Sequence, residues 1–178
     1  MINSNFLIVG RFQGFHNGHF QQLQQALNKT LNNVVVAIGV GIVDDLNPFD
    51  FNFRVNCIKN SFSSDDADKF LFIPLYDDLD TNSWLQSVSK LIDLFDISHL
   101  AGSKKDLSTT TYLNQILELN PKVTFCDFTS DLNISGTLVR ELLNANEYIK
   151  LSKIVPQGCF KLLTNNFCIA PNNHSQYC

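Results

Sequence analysis

The chain reads as an α/β protein, a parallel sheet with helices on both faces, and three observations lead there. Short β-branched or aromatic runs alternate along its 178 residues with stretches whose apolar residues recur at helical spacing, the pattern of repeated strand–helix units. The clearest run, Val34-Val35-Val36-Ala37-Ile38-Gly39-Val40, is continuous rather than alternating, as expected of a strand buried on both faces. The first run, residues 6–9, leads into a glycine-bearing turn, Gly10-Arg11-Phe12-Gln13-Gly14-Phe15-His16-Asn17-Gly18-His19. That turn opens a helix, which is where α/β proteins gather phosphates.

Taken in order, residues 6–9 form a strand and residues 19–33 a helix, with Phe20, Leu23, Ala26, Leu27 and Leu31 on its apolar side. The strand of residues 34–40 follows, then a loop rich in Asp, Asn and Pro over 43–50. Residues 51–62 read as a helix with Phe51, Val55, Ile58 and Phe62 on one side. A third strand spans 70–75, an acidic loop 77–81 and a helix 84–94. A short strand over 98–101 leads to Gly102. Residues 110–119 read as a helix, 123–126 as a strand, and 135–144 as a helix whose first turn carries Ser, Gly and Thr. Helical character continues over 142–163, with Pro156 as a break or a new start. No internal repeat is visible, so one domain is expected over residues 1–163, followed by a C-terminal tail over 164–178.

Composition narrows the function classes. The formal charge is -4 and only Lys104-Lys105 are adjacent bases, which predicts no nucleic-acid partner. No run approaches the roughly 18 apolar residues that a membrane span needs. The first residues lack the basic region of a signal peptide, and the apolar run after them ends at Gly10. The five cysteines, Cys57, Cys126, Cys159, Cys168 and Cys178, are scattered without a C-x-x-C pair. That pattern predicts a reduced, cytoplasmic protein and no zinc site. Asp44 and Asp45, adjacent acids in a loop, read as solvated, so no metal ligands are assigned.

Two histidines flanking a glycine can bring imidazole and backbone N–H donors around one anion, a geometry that suits a phosphate. The plainer reading is that His16 and His19 cap the helix and fill the turn. Ser135 and Thr137 admit the same plain reading, as helix N-cap residues.

Taken together, His16-Asn17-Gly18-His19 and Ile134-Ser135-Gly136-Thr137-Leu138-Val139-Arg140 resemble the nucleotidyltransferase superfamily, which has an HxGH signature and a C-terminal ISxTxxR signature. The opening is most similar to the nicotinamide mononucleotide (NMN) adenylyltransferases of the archaeal type, including bacterial forms fused to a Nudix hydrolase domain, whose first motif runs GRFQPFHNGH. Asn47-Pro48-Phe49 with Arg54 looks like that family's NPF…ER segment, and Asn82-Ser83-Trp84-Leu85 like its tryptophan segment. Ala101-Gly102-Ser103-Lys104-Lys105-Asp106 looks like its G-x-x-K-D segment. These five matches stand in family order over most of residues 6–145.

The resemblance implies a Rossmann-like nucleotidyltransferase fold, and with no second domain visible in the sequence the fused hydrolase half of some relatives is not expected in this chain. It implies attack by the NMN phosphate on the α-phosphorus of ATP, giving NAD and pyrophosphate with no covalent intermediate. Mg²⁺ would arrive with ATP, and a homo-oligomer is expected of this family. His16, His19 and Arg140 would be catalytic. Arg11, Phe12, Gln13 and Gly18 would frame the ATP phosphates, with Ser135, Gly136 and Thr137 beside them. Gly102, Lys104 and Asp106 would border the adenosine. Asn47 and Arg54 would bind NMN, Arg54 at its phosphate, and Trp84 would stack on the nicotinamide. Three positions depart from the family pattern. Gly14 stands for proline, which loosens the loop entropically, Ser103 for histidine, and Phe53 for glutamate. The last two bear on adenosine and NMN affinity. The alternatives are adenylyl transfer to phosphopantetheine or FMN, and a noncatalytic module that binds NAD or ATP.

Overall fold

The computed structural model describes residues 5–77, 80–109, 111–130 and 132–167. In it the alternating pattern becomes β1 (Asn5–Gly10), α1 (Asn17–Lys29), β2 (Val34–Val40), α2 (Phe51–Lys59), α3 (Ser64–Ala67), β3 (Phe70–Tyr76) and α4 (Thr81–Leu94). There follow β4 (Ile97–Gly102), α5 (Lys104–Thr109), α6 (Thr111–Leu119), β5 (Thr124–Asp127), α7 (Gly136–Asn144), α8 (Tyr148–Ile154) and α9 (Gln157–Phe167). The strands form one sheet in the order β3-β2-β1-β4-β5, and every pairing is parallel. The chain winds from β1 to β3 on one side and crosses back to β4 on the other. Ligands of such sheets bind at this reversal, outside the carboxyl ends of the strands.

Alternation along the strands sends side chains into two cores. Phe6, Ile8, Val34, Val36 and Ile38 meet α1, α2, α7, α8 and α9 through residues such as Leu23, Ile58, Val139, Leu151 and Leu163. Leu7, Val35 and Ala37 meet α4 and α6 through Val88, Ile92, Leu113 and Ile116. Residues 34–38 have no exposed surface, which explains the unbroken apolar run. Burying each Val or Ile contributes about 1.5–3 kcal/mol.

Several boundaries differ from the sequence reading. The first helix ends at Lys29, because Thr30 turns extended as its C-cap, and Leu31 is 62% exposed instead of joining the apolar stripe. The helix expected over 51–62 closes at Lys59, and α3 follows it. Helix α5 precedes the helix expected at 110–119. Ser63 caps α3 with Asp66, and Ser103 caps α5 with Asp106 in the same reciprocal way. The helical stretch expected over 142–163 breaks first at Ala145–Glu147, where Asn146 adopts φ 56°, and again before α9 at Pro156. Helix α9 continues to Phe167, whose ring meets Phe49 and Phe53 edge-on. Residues 168–178 of the expected tail, and 78–79 of the acidic loop, lie outside the described residues.

Candidate active site

The turn after β1 and the start of α7 are built against each other. Gly14 has φ 95°, a left-handed conformation open to glycine and closed to proline. A Cβ on Gly14 would lie 2.7 Å from the Gly136 carbonyl oxygen, and one on Gly136 would collide with that of Gln13. Two backbones therefore touch where no side chain fits. The glycine that stands for the family's proline does more than loosen the loop: it makes this contact possible. Arg140 secures it, Nη1 donating to the Gln13 carbonyl at 2.7 Å and Nη2 to Thr137 Oγ1 at 3.2 Å. Ser135 caps α7 by accepting from the Leu138 N–H. Gln13 also joins a third segment, its amide bonding in both directions with the Phe49 backbone.

The histidines sit inside this turn. His16 is 7% exposed and caps α1, its Nδ1 accepting from the Gly18 and His19 N–H groups at 3.1 and 3.3 Å. An accepting Nδ1 is unprotonated, so the proton of the neutral ring resides on Nε2. The His19 ring stacks on His16 at 3.8 Å and packs between Phe12 and Phe15. Its Nδ1 is buried and meets no hydrogen-bond partner among the described residues. Phe12 reaches this packing with φ 51°, a conformation uncommon outside glycine. Burial lowers the His16 pKa from 6.5 to about 4. Burial, and then the nearby His16, push the His19 pKa well down. Both rings are neutral at neutral pH, and capping and phosphate donation are compatible roles of one imidazole.

Arg54 is 3% exposed. Its Nη1 donates to the carbonyls of Arg11 and Gly39 at 2.6 and 2.7 Å, and its Nε to that of Asp50 at 3.0 Å. The structure thus gives these donors to main-chain oxygens and pins the ends of β1 and β2 to the start of α2. Phe53, in place of glutamate, stacks on Phe49 at 5.1 Å.

Beside this floor a cavity of about 420 Å³ opens between β1, β2, β3 and α4, lined by Arg11, Asp77, Thr81, Trp84 and Tyr112 among others. Trp84 is half-buried, its indole edge-on to Tyr112 at 5.7 Å. Arg11 spans the rim, pairing with Asp77 at 2.8 Å and donating to Asn47 Oδ1 at 3.1 Å. Asp77, Thr81 and Tyr112 were not among the expected site residues. Only the position of Asp77 just past a strand end hinted at it.

The third group lies at the ends of β4 and β5. Gly102 closes β4, the Lys104 N–H donates to Asp127 and Thr129, and its ammonium lies 3.4 Å from Asp127. The Thr129 hydroxyl, then burial in opposition and the Lys104 bonds, hold the Asp127 carboxyl below its usual range. Asp106 is tied to Ser103, which fills the histidine position. From the same loop Ser130 reaches Gln21 of α1 and lies beside Gly18, joining this group to the histidine turn. Every expected site residue therefore lies at the carboxyl end of the sheet. Among the described residues no cluster of three His, Cys, Asp or Glu could hold a metal ion, and no helix is long and apolar enough to cross a membrane.

Residues 7–142 match the cytidylyltransferase-like family. The chain is 31% identical to the nicotinamide-nucleotide adenylyltransferase of Saccharolobus solfataricus over 90% of each chain. It is 29% identical to the nicotinamide/nicotinic acid mononucleotide adenylyltransferase of Acinetobacter baylyi, over 92% of this chain and 87% of that one. Two structures of a bifunctional NMN adenylyltransferase/ADP ribose pyrophosphatase from Francisella tularensis superpose with TM-scores of 0.75 and 0.72, at 22% and 20% identity. Both cover 94% of this chain, which spans about half of theirs, 51% and 50%. The second holds AMP and a manganese ion.

Proposed function

The chain belongs to the cytidylyltransferase-like family and within it to the nicotinamide-nucleotide adenylyltransferases, and from that premise we propose how its site works. The reaction is transfer of the adenylyl group of ATP to NMN, forming NAD and pyrophosphate. One observation bears most of the mechanism: the Arg140–Gln13 bond joins two signature loops 127 positions apart, in the turn that leads on from Arg11, itself in the lining of the cavity with Trp84.

An oxygen of the NMN phosphate attacks the α-phosphorus, and the bond to the bridging oxygen of pyrophosphate breaks as the new one forms. Phosphate is already a competent nucleophile, so the protein contributes position and charge stabilisation. His16 offers Nε2–H to the triphosphate because its Nδ1 is engaged with the helix. His19, in the adjacent ring, donates at the α-phosphate, where charge grows. Entering phosphates supply the negative charge that raises the pKa of both rings. Arg140 holds the β- and γ-phosphates, with Thr137 and Ser135 alongside and Gly18 and Gly136 leaving backbone room. Phe12, Gln13 and Arg11 frame the same phosphates. Gly102, Lys104 and Asp106 border the adenosine. Trp84 stacks on the cationic nicotinamide ring. Arg54 and Asn47 act on the NMN side by fixing Arg11, Arg54 at its carbonyl and Asn47 at its guanidinium. A divalent cation arrives with the nucleotide, and we propose Mg²⁺, held by phosphate oxygens and water.

The test is incubation of the purified protein with ATP, Mg²⁺ and NMN, with NAD followed through a coupled dehydrogenase and pyrophosphate measured in parallel. Stoichiometric NAD and pyrophosphate are expected. Pyrophosphate released only with phosphopantetheine or FMN would replace NMN as acceptor. ATP binding without pyrophosphate release would make the chain a noncatalytic module.

A further inference from the structure

We propose that Asp77 makes the acceptor cavity selective for a pyridine nucleotide with a carboxamide over the deamidated nucleotide with a carboxylate. The proposal rests on the reading of that cavity as the acceptor's place. Two of its lining residues are charged, Arg11 and Asp77, and they neutralise each other at 2.8 Å. Arg11 is committed twice, Nη2 to Asp77 and Nη1 to Asn47. A ligand carboxylate therefore meets no uncommitted cation among these lining residues.

Asp77 is held in place. Its N–H donates to the Val40 carbonyl at 2.8 Å, extending the β2–β3 ladder by one bond. Its carboxylate lies against bare backbone, where a Cβ on Gly41 would fall 2.8 Å from Oδ2. A carboxylate lining the same cavity as an indole suits a ring that is itself cationic. It can also accept from a carboxamide NH₂, which a carboxylate group on the ring cannot offer. The deamidated nucleotide brings a second negative charge toward Asp77, and like charges in contact across an interface discriminate strongly. If Arg11 turns toward the triphosphate during catalysis, Asp77 loses its counter-charge and rejects the carboxylate more strongly.

The experiment compares kcat/KM for NMN and deamido-NMN, with MgATP saturating, in the wild type and in Asp77→Asn. In parallel, fluorescence of Trp84, the only tryptophan of the chain, is titrated with each nucleotide in the absence of ATP. The wild type should favour NMN by about tenfold or more, and Asp77→Asn should bring the two acceptors within about threefold, mainly through a lower KM for deamido-NMN. Equal use of both acceptors by the wild type, or an unchanged ratio in a folded Asp77→Asn, would overturn the proposal and leave the reaction standing. Should the variant fail to fold, the wild-type ratio and the two fluorescence titrations decide the matter. Discrimination in the titrations without dinucleotide formation would instead refute the reaction and leave the preference of the cavity.

Discussion

Acidification is expected to destabilise this fold through His16 before its carboxylates protonate, and the size of the effect follows from the cap. His16 Nδ1 can accept from two backbone N–H groups only while unprotonated, and burial lowers its pKa from 6.5 to about 4. The unfolded chain takes up this proton near pH 6.5 and the folded chain near pH 4. Stability is therefore intact above the unfolded value and falls as the pH drops between the two. Between about pH 7 and pH 5 the two proton-binding curves differ by about 2 kcal/mol. Urea unfolding at the two pH values measures this loss, and His16→Asn supplies the control. Its side-chain oxygen can cap the same N–H groups without titrating. The wild type should lose about 2 kcal/mol more than the variant over this interval. Parallel losses would refute the argument, since they would mean that His16 protonates in the folded chain as readily as in the unfolded one.

Two further substitutions test the architecture. Gly14→Pro restores the residue usual in the resembled family but cannot adopt φ 95°, so it should cost more than about 1 kcal/mol of stability. An unchanged urea midpoint would mean that the loop takes another path. Arg54→Lys keeps the charge but loses the fork that holds three carbonyls, and should cost about 2 kcal/mol. It should also raise KM for ATP and NMN together, whereas a rise for NMN alone at unchanged thermal stability would make Arg54 a direct grip on the acceptor phosphate.

Strands were legible because burial on both faces writes itself as an unbroken apolar run, as in residues 34–38, and α7 because Ser135 and its apolar face declare a capped helix. The short helices α3 and α5 are too brief to show a stripe. Their Ser-x-x-Asp caps at Ser63 and Ser103 were the readable sign. The break at Asn146 had one local sign, the asparagine itself, which after glycine most readily goes left-handed past a helix end. In the site, the histidine turn and Arg140 were legible as motifs, but their contact depends on Gly14 and Gly136 meeting from places far apart in the sequence. The same limit hid the burial of Arg54 and the pairing of Arg11 with Asp77, since each partner is chosen by the sheet order and not by neighbours in sequence. Phe53 read as a departure from a pattern, and only packing shows that it joins Phe49 and Phe167.

The most direct test is turnover of ATP and NMN to NAD by the wild type and by His19→Ala, at saturating concentrations of both substrates. Removing one donor aimed at developing charge typically costs about 100- to 1,000-fold in kcat. The account predicts NAD formation by the wild type and a loss of that size in the folded variant, with little change in KM. A wild type that forms NAD and a variant that matches it would contradict the role given to the histidine turn, and no NAD from either would contradict the reaction itself.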